Sequence, residues 1–271
     1  MSRFSRVFRR LNPSDAAMLG GFTIEDLMLY SFATKELTEG WDIATDRPAG
    51  GKSHGSVSWH PWEKYPEGGL EAQPWPGNEE DPRKVAPMGH LQSQYFLRGG
   101  EAARAPPLSE GGFLRFAGEL SLEKSPKAKQ AGFCGARPAR RLDPLDISEH
   151  SGLEMRIRTD GRLYEFNVEA LTRVPDDIYQ GYIQTPPGVW GTIAFPLHRL
   201  TLTGRGQLRE FQRRLERASL HSIGFSIADG TAGPFQLDVA WISAVHEVDE
   251  EPDGELPWKI PPRPENGVLE W

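Results

Sequence analysis

A single cysteine, Cys134, in 271 residues removes any internal disulfide framework. No Asn-x-Ser/Thr acceptor with a non-proline centre occurs either, so the composition fits a reducing compartment. No stretch approaches the roughly 18 consecutive apolar residues of a membrane-spanning helix; the longest apolar runs are broken by Gly, Pro or charge. Positive charge is short as well. With 31 Lys and Arg against 38 Asp and Glu the formal net charge is -7, which argues against the basic footprint of a general nucleic-acid binder. Neither Gly-x-Gly-x-x-Gly nor a P-loop string is present, so nucleotide binding has no support.

What the chain has in quantity is turn chemistry: 29 glycines and 23 prolines, about a fifth of its residues. That favours a β-rich fold of one sizeable core with decoration. Seven runs carry period-two alternation or strand composition with Gly, Pro or Asp at their ends: 113–122, 152–159, 162–171, 179–185, 189–197, 221–228 and 234–245. Short strands in this number, without helices between them, predict a two-layer sandwich. Asp160-Gly161, between two of these runs, has the residue pair that a two-residue hairpin turn prefers. One helix is expected within this region, over 207–218, where Leu208, Phe211 and Leu215 share a stripe and Arg and Glu fill the other face.

Three segments flank or interrupt the sandwich. Residues 1–37 form an N-terminal arm, whose first fourteen residues hold four arginines and no acid, the composition of an organelle-import segment. An amphipathic helix is expected from Thr23 to Ala33, with Ile24, Leu27 and Met28 at helical spacing. Residues 59–112, inside a domain spanning 38–246, are rich in Pro and Gly yet contain Trp59, Trp62, Trp75, Tyr95 and Phe96. A solvated linker would not carry so many aromatics, so this insertion is expected to bury against its own sheet or a partner. The tail 247–271 holds eight acids against Lys259 and Arg263, with five prolines, and Trp258 and Trp271 as anchor points.

Catalytic strings are few. Gly51-Lys52-Ser53-His54-Gly55 matches a nucleophile elbow, but it lacks the hydrophobic strand before and the helix after that would lift Ser53 above a parallel sheet. The seven histidines are scattered, and Cys134 has no second thiol, so no metal set is indicated. Gly50 and Gly51 would allow a tight turn bringing Ser53 into the sheet. Asp46 and Arg47 are expected to pair beside it; the alternative is that Asp46, Arg47 and Ser53 line a shallow polar site at the sandwich rim.

Four blocks stand in order: Trp41-x4-Asp46-Arg47-x2-Gly50-Gly51-x-Ser53; Gly132-Phe133-Cys134; Leu153 to Tyr164, containing Asp160 and Gly161; and Ser222-Ile223-Gly224-Phe225 through Asp229-x3-Gly233-Pro234-Phe235. Trp190 lies between the third and fourth. Together they resemble the complex I intermediate-associated protein family, over roughly Trp41 to Val245 apart from the insertion. The resemblance implies an all-β, galactose-binding-like jelly-roll sandwich and no catalytic set, so no catalytic residue, cofactor or metal is carried over. It further implies a non-enzymatic assembly factor or accessory subunit of mitochondrial respiratory complex I (NADH:ubiquinone oxidoreductase). Such a protein would sit in the matrix, peripheral to the inner membrane and not spanning it, with complex I subunits, assembly intermediates and other assembly factors as partners. The expected contacts are Trp59, Trp62, Trp75, Tyr95, Phe96, Trp258 and Trp271. Two other readings stay open: a carbohydrate-binding module using the tryptophans, and assembly of a photosynthetic complex by a relative of the same family.

Overall fold

The computed structural model of the chain describes residues 26–61, 96–97, 111–123, 126, 131–139 and 143–248 except 173, 175, 186, 189, 205 and 247. Two antiparallel seven-stranded sheets stack face to face. Sheet I contains β1 (Leu27–Ser31), β3 (His54–Pro61), β4 (Phe96–Leu97), β5 (Gly112–Leu120), β7 (Gly152–Thr159), β10 (Gly191–Pro196) and β14 (Gly233–Val245). Its order is β3-β5-β14-β7-β10-β4, and β1 pairs with the C-terminal half of β14. Sheet II contains β2 (Trp41–Thr45), β6 (Cys134–Pro138), β8 (Tyr164–Ala170), β9 (Asp177–Ile183), β11 (Thr201–Gly204), β12 (Gln207–Leu208) and β13 (Leu220–Ile227), in the order β12-β11-β9-β8-β13-β6-β2. The expected all-β jelly-roll sandwich is what these sheets form, and each of the seven predicted runs contains a strand.

Alternation supplies the core. Along β8 every second residue, from Tyr164 to Ala170, is buried, while Glu165, Asn167 and Glu169 face outward. Leu114, Phe116, Ile157, Phe195 and Leu237 of sheet I meet Phe166, Val168, Ile223 and Phe225 of sheet II in one hydrophobic cluster. Phe166 stacks on Phe195 at 5.4 Å between ring centroids and lies tilted against Phe225 at 5.8 Å. Each fully buried ring of this kind contributes about 1.5 to 3 kcal/mol over an exposed one.

Three local expectations are corrected. Residues 207–218 are not helical: they form β12, an extended strap, and a 3-10 turn over Arg217–Ser219. Only Leu215 of the expected apolar stripe is buried, because tertiary hydrogen bonds take the backbone elsewhere. The Gln212 amide accepts from Leu202 N at 2.7 Å and donates to Leu202 O at 2.9 Å, holding the strap against the margin of β11. The described part of the expected helix at 23–33 contains β1, drawn into the ladder by β14 and by the aromatic group of Tyr30, Phe32 and Trp41. Asp160-Gly161 is no hairpin; it carries the chain from β7 in sheet I to β8 in sheet II, with Gly161 at φ 90°.

Candidate functional site

Residues of all four sequence blocks meet at one end of the sandwich, where strands change sheets. Asp46 lies just past β2 and is 4% exposed. Its Oδ1 accepts from Ser53 N at 3.0 Å, and its Oδ2 from Ser53 Oγ at 2.7 Å, Gly132 N at 2.6 Å and Phe133 N at 3.3 Å. Burial pushes this carboxyl up, but the hydrogen bonds outweigh it and hold the group below its ordinary value. Gly51 is required here, since a Cβ would stand 2.2 Å from Asp46 Cγ. The expected Asp46–Arg47 pair gives way to another arrangement: Arg47 Nε donates to Ser53 O at 3.2 Å while Asp46 serves the Ser53 hydroxyl and three backbone N–H groups. Ser53 is fully buried, and its Oγ also accepts from Ser121 N at 3.1 Å. A hydroxyl so enclosed locks a turn and presents nothing to a substrate.

A second node closes the same end. Asp160 accepts from Arg162 N at 3.0 Å, Tyr164 Oη at 3.0 Å and Gln236 N at 2.7 Å, and burial raises its carboxyl above the ordinary value. Arg162 forms a bidentate pair with Asp229, at 2.9 and 2.6 Å, and donates to Gly233 O at 3.0 Å and Pro234 O at 2.7 Å. Phe235 follows into the core, 4.9 Å from Phe116. Between the two nodes lies an open depression lined by Glu119, Ser121, Leu122, Glu123 and Gly233 among others. Its charged groups include Glu123, engaged with Lys52 at 2.5 Å.

The remaining motif residues lie elsewhere in the sandwich. Gly224 passes close to β6, where a Cβ would stand 2.7 Å from Ala136 O. Phe225 is a core ring, and Trp41 stacks on it at 6.3 Å. Trp190 lies outside the main core, on the outer face of sheet I, with Phe113 at 5.3 Å and the Arg158 guanidinium 5.1 Å over its ring. That face also holds a cluster the sequence reading missed. Asp238, fully buried, accepts from Arg115 at 2.7 and 3.1 Å, from Arg158 Nε at 2.9 Å and from Gln236 Nε2 at 3.2 Å. Charges at outward positions of predicted strands were the available signal.

Of the expected partner contacts, Trp59 is half-buried and donates Nε1–H to Phe32 O at 3.0 Å, so its polar edge is used within the fold. Phe96 belongs to β4, whose backbone pairs with β10. Trp62, Trp75, Tyr95, Trp258 and Trp271 lie outside the described residues. Cys134 is buried, and burial pushes its thiol up to about 12. Among the described residues no group of three His, Cys, Asp or Glu side chains could hold a metal ion, and no helix is long and apolar enough to cross a membrane.

Fold and site together define a β-sandwich protein in which Asp46, Ser53, Asp160 and Arg162 bond to other groups of the fold at the crossovers between sheets. The family profile of Complex I intermediate-associated protein 30 matches residues 97–239, and the chain belongs to that family. It is 33% identical over 150 residues to the mitochondrial Complex I intermediate-associated protein 30 of Neurospora crassa, covering 52% of this chain and 54% of that protein. It is 28% identical over 125 residues to the mouse protein of the same name, covering 42% and 38%. The chain thus spans about half or less of the length of these relatives. Among solved structures it is similar to the family 11 carbohydrate-binding module of the Clostridium thermocellum cellulase Lic26A-Cel5E, at 14% identity and a TM-score of 0.46, over 84% of this chain and 99% of that one.

Proposed function

We propose that this protein is a non-enzymatic assembly factor or accessory subunit of mitochondrial respiratory complex I, binding membrane-arm components from the matrix side of the inner membrane. Membership of a family named for complex I intermediates supports the pathway. The observation that carries the mode of action is the state of the motif side chains. Asp46, Ser53, Asp160 and Arg162 each hold several hydrogen bonds within the fold, which supports reading them as struts of a rigid adhesive platform. Binding energy in such a platform concentrates in a few aromatic or arginine anchors. Trp62, Trp75 and Tyr95 of the insertion and Trp258 and Trp271 of the tail are the proposed ones, with Trp59 and Phe96 at the margins of sheet I.

The test is affinity capture of the tagged chain from digitonin-solubilised mitochondria, followed by mass spectrometry and a native gel. Complex I subunits are expected in the eluate. Co-migration with the mature complex identifies a resident subunit, and co-migration only with smaller species identifies a transient factor. Recovery of no complex I subunit removes the proposal.

A further inference from the structure

The outer face of sheet I meets water in one part and is closed in another. His54, Ser56 and Ser58 of β3 and Glu119 of β5 point away from the core and are exposed. Outward positions on β14, β7 and β10 are not. Ala194 alternates with the core residues Ile193 and Phe195, and Trp241 precedes the core residue Ile242, yet the two are 0% and 3% exposed. Val245, Glu154 and Arg158, on the same side, are buried as well. Side chains on a free sheet face reach water unless another layer lies over them. On the outer face of sheet II, Glu165, Asn167 and Glu169 accordingly stay part-exposed.

The described residues supply little of this cover: Trp190 against Phe113 and Trp241, and Val248 against Ala194 and Val245. Two outward donors, Trp241 Nε1 and Arg156 Nε, are buried with no acceptor among the described residues, and a chain laid over them can offer its carbonyls. The path of the chain points to its source. Strand β3 ends at Pro61, opposite Gly112, at one margin of sheet I, and β4 pairs Phe96 with Ala194 at the other. Residues 62–95 therefore begin and end on opposite sides of the closed region. Between the margins stand β5, β14, β7 and β10, a span of about 24 Å at roughly 4.8 Å per strand, which about eight extended residues would cross. The segment has 34 residues, enough to cover the face as well as cross it.

We propose that the outer face of sheet I is the seat of residues 62–95, which lie across Phe113, Trp190, Trp241 and Ala194 as a third layer of this chain. The chemistry of the seat matches that occupant. Arg158 stands 5.1 Å over the Trp190 ring and 5.5 Å over Phe113, so the face offers aromatic rings and guanidinium groups together. Trp62, Tyr65 and Trp75 of the segment are rings suited to both. The competing occupant is the tail, which starts beside Ala194 at Val248. From Asp249 to Glu255 it carries five acids and no ring, a poor match for an aromatic seat that already holds the Asp238 and Glu154 carboxyls. The seating stands independently of the complex I reading; with that reading, the partner contacts proposed for the insertion fall on the sheet I side.

The test is hydroxyl-radical footprinting of the full chain and of a variant in which residues 64–93 are replaced by a linker of about twelve Gly and Ser residues, long enough for the span. Trp241 is expected to be protected in the full chain and modified about tenfold faster in the variant, while the core ring of Phe166 stays protected in both. Rapid modification of Trp241 in the full chain, or equal protection in the variant, overturns the proposal. Protection lost only on truncation after Val248 assigns the cover to the tail and overturns it too. If the variant fails to fold, as modification of Phe166 would show, trypsin digestion of the full chain decides. Cleavage after Arg83 and Lys84 is expected to be about tenfold slower than after Lys259 in the tail, and equal rates overturn the seating. Capture of complex I subunits is a separate readout, and its failure leaves the seating intact.

Discussion

Replacing Asp46 with Asn tests whether the block around Asp46, Gly51 and Ser53 is a structural lock. The Oδ2 oxygen accepts from Ser53 Oγ, Gly132 N and Phe133 N. With Oδ1 kept as the acceptor for Ser53 N, the new amide nitrogen faces two backbone N–H groups and cannot accept from either. A buried donor left without its acceptor costs about 1 to 3 kcal/mol, and charge-assisted bonds lie at the upper end. Gly132 is buried and Phe133 half-buried, so a loss of about 2 to 4 kcal/mol is expected. For a domain of this size that lowers the melting temperature by roughly 5 to 15 °C. The effect also has a pH signature. The folded-state pKa of Asp46 lies below its unfolded value, so the stability it contributes is fully present above the ordinary carboxylate range and is lost as pH falls through the folded pKa. Urea titrations of wild type and Asp46→Asn should therefore differ most at neutral pH and converge in acid. Equal stability at neutral pH, or a gap that widens on acidification, would refute the assignment of Asp46 as a lock.

Three other outcomes are expected. Gly224→Val drives a side chain against Ala136 O and should destabilise by about 1 to 3 kcal/mol, read by thermal melting. Asp238→Ala leaves the Arg115 and Arg158 guanidinium groups without their shared carboxylate and should cost about 3 to 5 kcal/mol in urea unfolding, unlike loss of an exposed ion pair. Glu165 has its carboxyl raised by burial, against the lowering effect of bonds from Ser226 and Gln180. Its folded pKa exceeds the unfolded one, so the wild type loses stability as pH rises through this interval, and Glu165→Gln should gain on it there; a parallel pH dependence in the two proteins would contradict this.

How much of this was readable from the chain divides along physical lines. Strands with full alternation, such as β8, or long apolar runs, such as β14, declare themselves because half or more of their side chains must be buried. Strand β6, CGARP, has too little apolar area to signal a strand and owes its place to pairing with β13 and β2. The 207–218 stretch has a helical stripe, yet Asp177 and the backbone of Leu202 compete for its side chains, and no local pattern contains those distant partners. At the motif end, the type of role was legible while the partners were not: Gly51 and Ser53 suggested a turn, but the reach of Asp46 to Gly132 spans 86 residues. The Asp238 cluster shows the same limit, since its members lie on three strands brought together only by the ladder.

Gln212 gives the protein a stopper. By engaging both polar groups of Leu202, its amide imitates a peptide unit of one more strand, and Arg209 N adds a bond to the same carbonyl at 3.1 Å. Open sheet margins invite a foreign chain to add itself, a hazard many proteins blunt with lysine or proline. Here a neutral side chain removes that invitation along β11, so the sandwich can expose Phe211 nearby without offering a template for runaway strand addition.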